Sequence, residues 1–184
     1  MLIIIEGIDC AGKSSRARIL KEKFDNVIIY REPGASAIGE ELRKLLKSDI
    51  PMSESTQAYL FAACRNEALN EIEERLDQGY IVILDRSFIS SMVYQPHCAK
   101  SINEYYLARL KKIPYYIIYI ELSWEEYCKR IKNRDTIDRF EKKINKEVFI
   151  EYTERYKKVI KDYNHLIVQQ DDDIVQKIGE LIKK

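Results

Sequence analysis

The segment Gly7-Ile8-Asp9-Cys10-Ala11-Gly12-Lys13-Ser14 constrains the fold of this chain more than any other. It fits the pattern G-x-x-x-x-G-K-[ST] and lies between a β-branched apolar run, Leu2 to Ile5, and a helical stretch from Ser14 to Phe24. Glycines let the backbone curl until successive N–H groups converge on phosphate oxygens, and the following helix adds the positive end of its dipole. In that geometry Gly7 through Ser15 cradle a nucleoside triphosphate, Lys13 reaches its β- and γ-phosphates, and the Ser14 hydroxyl serves Mg²⁺. The pattern predicts ATP or GTP binding. It leaves the destination of the phosphate open, because the same cradle serves hydrolases, motors and kinases.

Downstream, apolar strand patterns alternate with helical ones. Strands are expected at 27–30, 80–84, 115–122 and 165–168 in addition to the first, with helices at 37–46, 53–78, 90–94, 102–110, 124–132, 142–163 and from Ile174 onward. Five strands separated by helices predict an α/β fold, a three-layer P-loop NTPase sandwich around a five-stranded parallel sheet. With 184 residues and no linker-like tract, one domain over 1–184 is expected.

Charge narrows the partners. Thirty-one Lys and Arg against thirty Asp and Glu leave a net +1, which argues against a surface that blankets a nucleic acid polymer. The widely spaced Cys10, Cys64, Cys98 and Cys128 suggest neither a zinc site nor a disulfide framework, and reduced thiols in the cytoplasm are expected. Met1 to Glu6 has neither the basic flank nor the cleavage site of a secretory leader, and no apolar stretch approaches the ~20 residues of a membrane span.

Asp85 and Arg86 follow directly on the strand Tyr80 to Leu84, at the carboxyl end where chemistry collects in such sheets. An aspartate there can hold Mg²⁺ through water, and an arginine can clamp phosphate oxygens. A lone Asp-Arg pair is more often a solvated turn. It is accompanied, in order along the chain, by Glu6-Gly7-Ile8-Asp9, Arg31-Glu32-Pro33-Gly34, Phe61-Ala62-Ala63-Cys64-Arg65, Ser90-Ser91-Met92-Val93-Tyr94-Gln95 and Asp138-Arg139-Phe140-Glu141. From Leu2 to about Tyr156 the chain resembles the thymidylate kinases.

The resemblance implies transfer of the γ-phosphoryl group of ATP-Mg²⁺ to thymidine monophosphate, by a homodimer in many members. It implies that Phe61 stacks on the base while Arg65, one turn along the same helix, donates to a base carbonyl. Ser91, Tyr94 and Gln95 then face the base edge and sugar, and Glu32 and Pro33 belong to the acceptor site. Asp9 holds the sugar 3′-hydroxyl and orients the acceptor, Arg43 binds the acceptor phosphate, and Arg86 bridges both phosphates. Asp85 joins Ser14 at the metal. Ser90 reads only as a residue that caps or lines its helix.

Arg130, Lys132, Arg134 and Arg139 crowd a stretch expected to be a mobile lid, about 132–142. Family members carry a basic residue either in the phosphate loop or in this lid. The loop position here is Cys10, so Arg134, with Arg130 next, is expected to supply the charge on the transferring group. Asp138 and Phe140 resemble lid residues near the sugar. Departures from the pattern include Ala35-Ser36 after Gly34, Cys64 in place of an aspartate, Pro96 after Gln95, and a short 96–113 segment. A deoxynucleoside kinase shares the Asp-Arg-Ser element but needs a base for a neutral hydroxyl, and a non-catalytic nucleotide sensor could use the same fold.

Overall fold

The computed structural model describes residues 1–134, 137 and 139–182. Every residue of the first strand, β1 (Leu2–Glu6), is buried, because β1 is the middle of the sheet and both its faces are covered. The strands β2 (Val27–Arg31), β3 (Ile81–Asp85), β4 (Tyr115–Ile120) and β5 (His165–Val168) complete a five-stranded sheet in the order β2-β3-β1-β4-β5, with all four pairings parallel.

Alternation along each strand builds two cores. Leu2 and Ile4 join Val82, Leu84, Ile117 and Tyr119 on one face, under α3 (Glu54–Asp77), α4 (Phe88–Tyr94), α6 (Glu104–Leu110) and α8 (Lys146–Ile160). Ile3 and Ile5 join Ile83, Ile118 and Ile120 on the other, under α1 (Lys13–Lys23), α7 (Trp124–Lys132) and α9 (Ile174–Ile182). The outcome is the expected three-layer α/β arrangement. Hydroxyl and amide side chains set several helix starts: Ser36 Oγ accepts from Gly39 N ahead of α2 (Ala37–Lys47), and Ser53 and Asn145 do the same for α3 and α8.

Two helices differ from expectation. The stretch read as one helix over 102–110 is broken at Asn103 into α5 (Ala99–Ile102) and α6. The long helix expected from residue 142 begins only at Lys146, after a 3-10 turn at Glu141–Lys143. No described helix is long and apolar enough to cross a membrane.

Candidate active site

Parallel pairing brings the ends of β1 and β3 side by side. Ile5 is in register with Asp85, and Arg86 N donates to Ile5 O at 3.0 Å, so the loop leaving β1 and the pair leaving β3 open into the same space. Glu32 N donates to Asp85 O at 3.0 Å and adds the end of β2. A cavity of about 700 Å³ starts there.

At one end lies the phosphate loop. Gly7 and Gly12 have φ of 146° and 86°, and a Cβ on Gly7 would meet Ile120 O at 2.7 Å. Ile8 and Ala11 sink into the core beneath the loop, while Asp9, Cys10 and Gly12 to Ser15 line the cavity. Lys13 Nζ donates to the carbonyls of Gly7 and Ile8 at 3.0 and 2.9 Å, bracing the curl. Burial, and then Arg86, lower the Lys13 pKa to about 8. Ser14 Oγ donates to Asp85 Oδ2 at 2.5 Å, so two oxygen ligands of the kind Mg²⁺ prefers converge beside the loop.

Two arginines grip the loop from outside. Arg130 donates to Cys10 O at 3.0 Å, and Arg16 to Ala11 O at 3.1 Å. No motif marks Arg16, which by pattern is an ordinary helix residue.

Arg86 occupies the middle of the cavity with a left-handed backbone, φ 72°, a conformation that costs a non-glycine residue on the order of 1 kcal/mol or more. Its side chain is held on several sides. One terminal nitrogen donates to Asp9 Oδ1 at 2.6 Å; the other donates to Ser90 Oγ at 2.9 Å and the Tyr156 hydroxyl at 3.1 Å. Burial pushes the Asp9 carboxyl upward, but Arg86 and Lys13 outweigh it and hold it at about 2. Beneath lies Glu6, fully buried, whose carboxylate accepts from Ser87 N at 2.7 Å, Ser90 N at 3.1 Å and Ser90 Oγ at 2.7 Å. Burial raises the Glu6 pKa despite Arg86. Ser90, expected only to cap or line its helix, therefore joins Arg86, Glu6 and Tyr156, whose hydroxyl lies 3.0 Å away.

At the far end, Phe61 and Phe140 stand 6.2 Å apart, centroid to centroid, at 50°. Arg65, 2% exposed, donates to Glu32 Oε2 at 2.9 Å and Ser91 Oγ at 3.0 Å, and also pairs with Asn103 Oδ1. The Ser91 hydroxyl thus contacts Arg65. Burial lifts Glu32 to about 7 even with Arg65 beside it. Pro33, Arg43, Tyr94 and Gln95 line the wall, and Arg43 donates to Pro33 O at 2.8 Å. The buried Gln95 Oε1 makes no hydrogen bond among the described residues.

From the segment expected to form a lid, Arg134 lines the cavity and is ion-paired with Glu141. Arg139 donates to the carbonyls of Ser48 and Ile50 at 2.7 and 2.8 Å, across on the α2–α3 loop. Asp138 lies outside the described residues. The cavity also gathers Arg31, Lys47, Gln57 and Tyr152, residues without assigned roles in the motifs.

Known proteins of similar sequence and fold identify the family. A family model described as "Thymidylate kinase" matches residues 5–181. The chain is 35% identical to a probable thymidylate kinase of Methanococcus aeolicus, over 99% of this chain and 94% of that protein. Identity is also 35% to a probable thymidylate kinase of Thermococcus onnurineus, over the full length of both. Among solved structures, a thymidylate kinase from Ehrlichia chaffeensis superimposes with a TM-score of 0.75 at 20% identity, covering 99% of this chain and 98% of that one. A thymidylate kinase from Candida albicans gives 0.74 at 23% identity, covering 99% and 90%. At such identities the two structures speak for the fold alone. The sequence relationships, extending over nearly all of the chain, show that it belongs to the thymidylate kinase family.

Proposed function

We propose that this chain transfers the γ-phosphoryl group of ATP to thymidine monophosphate, making the diphosphate on the way to dTTP for DNA replication. One observation carries the assignment of roles: Arg86 stands in a single cavity between the phosphate loop at one end and Phe61 with Arg65 at the other. A nucleotide lying along that cavity has its base against Phe61, its edge toward Arg65, Ser91 and Gln95, and its phosphate facing Arg86 and Arg43.

The acceptor oxygen of a monophosphate is already an anion, so no strong base is needed; alignment and charge cancellation carry the catalysis. Asp9 agrees with that, since a carboxylate held at about 2 is a poor proton acceptor for the 5′-hydroxyl of a free nucleoside. Asp9 instead fixes Arg86 and orients the acceptor. Lys13 and the loop backbone hold the β- and γ-phosphates, and Arg134 adds positive charge at the transferring group. Ser14 and Asp85 would hold Mg²⁺, which when bound offsets charge on the β- and γ-phosphates.

The enzyme in this reading is one kinase unit over 1–184 with a lid about 132–142, working on small nucleotides in the cytoplasm. It forms a homodimer, a state supported by Ile38 and Tyr59, 55% and 64% exposed on α2 and α3. Light scattering checks that state.

Release of ADP, coupled to an indicator reaction and run with ATP-Mg²⁺, tests the activity against thymidine monophosphate, other monophosphates and free thymidine. Preference for thymidine monophosphate is expected. Turnover of free thymidine alone, or ATP binding without turnover, would overturn the assignment.

A further inference from the structure

Behind the base end of the cavity lies a residue that does not itself line it. Asn103 is 0% exposed, sits where α5 gives way to α6, and falls in none of the motifs that carry the family resemblance. Its Oδ1 accepts from a terminal nitrogen of Arg65, and its Nδ2 donates to Ala99 O at 2.6 Å. The backbone fixes it further, since Asn103 N donates to Ala99 O at 3.0 Å and Leu107 N donates to Asn103 O at 2.8 Å.

The chemistry of this position is restrictive. Arg65 can only donate and the Ala99 carbonyl can only accept, so the side chain between them must accept on one side and donate on the other. A primary amide does both. A carboxylate would set an oxygen against the Ala99 carbonyl, and an aliphatic chain would leave a guanidinium N–H unpaired in the interior.

A guanidinium presents its N–H groups in one rigid plane. Glu32 takes Nε–H, Ser91 takes one terminal nitrogen and Asn103 the other, while the Tyr106 ring lies 5.5 Å beneath the central carbon. Three contacts at three corners fix the plane. The Asn103 contact is the one made from outside the cavity, where no substrate can compete for it.

We infer that Asn103 is a positioning residue for base selection: by anchoring Arg65 from behind, it aims a fixed N–H donor at the ring carbonyl of the acceptor base. The inference rests on Arg65 being the base-edge donor, as proposed above. A pyrimidine with a carbonyl at position 4 completes that hydrogen bond. One with an amino group there sets donor against donor and is refused, and the refusal is only as sharp as Arg65 is rigid.

The test compares kcat/KM for thymidine monophosphate and deoxycytidine monophosphate in Asn103→Leu, Asn103→Ala and Asn103→Asp. The first two remove the amide, one filling its space and the other emptying it, so that a packing failure in one leaves the other informative. Both are expected to raise the KM for thymidine monophosphate and narrow its preference over deoxycytidine monophosphate by about tenfold, with kcat and the KM for ATP nearly unchanged. Asn103→Asp keeps the acceptor for Arg65 but loses the donor to Ala99 O, and is expected to recover part of the preference that Asn103→Leu loses. Full preference in a folded Asn103→Leu or Asn103→Ala protein overturns the inference, as does an equal loss for ATP and for the acceptor. Arg65→Ala separates the two levels. If it too leaves the preference intact, the base-edge role of Arg65 fails; if it abolishes the preference while the Asn103 variants do not, only the positioning role fails.

Discussion

The Asp9 carboxylate and the Arg86 guanidinium meet at 2.6 Å, joining the loop that leaves β1 to the turn that leaves β3. In the proposed reaction, the pair couples the two elements that hold donor and acceptor phosphates in line. It also keeps a left-handed arginine backbone in place.

Arg86→Ala is therefore expected to lower kcat by about a hundredfold or more while changing the KM for ATP only a few-fold, because its charge acts chiefly on the developing transition state. Arg134→Ala should show the same pattern more weakly. Steady-state kinetics with each nucleotide varied in turn decide this, and unchanged turnover in Arg86→Ala would remove the residue from the mechanism.

Lys13 is expected to set the alkaline limb of the pH profile. Burial lowers its folded pKa to about 8, so the ammonium proposed to bind phosphate is progressively lost as pH rises through that value. The KM for ATP is expected to climb above about pH 8. A KM flat from about pH 7 to about pH 9.5 contradicts the expectation.

Glu32 leaves a thermodynamic signature of the opposite kind to a surface carboxylate. Its pKa rises from an ordinary 4.5 to about 7 in the fold, so between those values the folded protein binds more protons than the unfolded chain. Stability contributed by the protonated carboxyl is present below about 4.5 and lost as pH rises toward 7. The Tm of Glu32→Gln, measured relative to the parent, should move upward from about pH 5 to about pH 8. A difference that stays constant, or falls, contradicts the shift.

Phe61→Ala tests the base platform. Stacking on an aromatic ring is worth about 1–3 kcal/mol per base, so the KM for thymidine monophosphate is expected to rise by about 5- to 150-fold, with the KM for ATP little altered. Phe61→Tyr, which keeps the ring face, should stay near the parent. Equal effects on both substrates would point to a general packing defect.

Local pattern is enough to read the sheet and the phosphate loop, because both are written in contiguous residues: an apolar run, glycines at fixed spacing, a lysine and a serine. Motif order singles out Phe61, Arg65, Arg86 and Gln95, and all of them line one cavity. What escapes such reading is made by contacts across long stretches of chain. Tyr156 reaches Ser90 and Arg86 from α8, and nothing in Arg155-Tyr156-Lys157 announces it. Glu6 looks like the polar end of a strand until the fold buries it beneath Ser87 and Ser90. The break between α5 and α6 is hidden for a related reason, since the helical pattern runs through Asn103 and the amide that interrupts it answers to Arg65, 38 residues earlier.

Arg139 holds the α2–α3 loop by the carbonyls of Ser48 and Ile50, and Arg130 and Arg16 hold the phosphate loop by those of Cys10 and Ala11. A grip on main-chain oxygen is blind to the side chain that the gripped residue carries. The fastening between segments therefore does not depend on which side chain stands at positions 10, 48 and 50, and a cysteine can stand in the loop without loosening it.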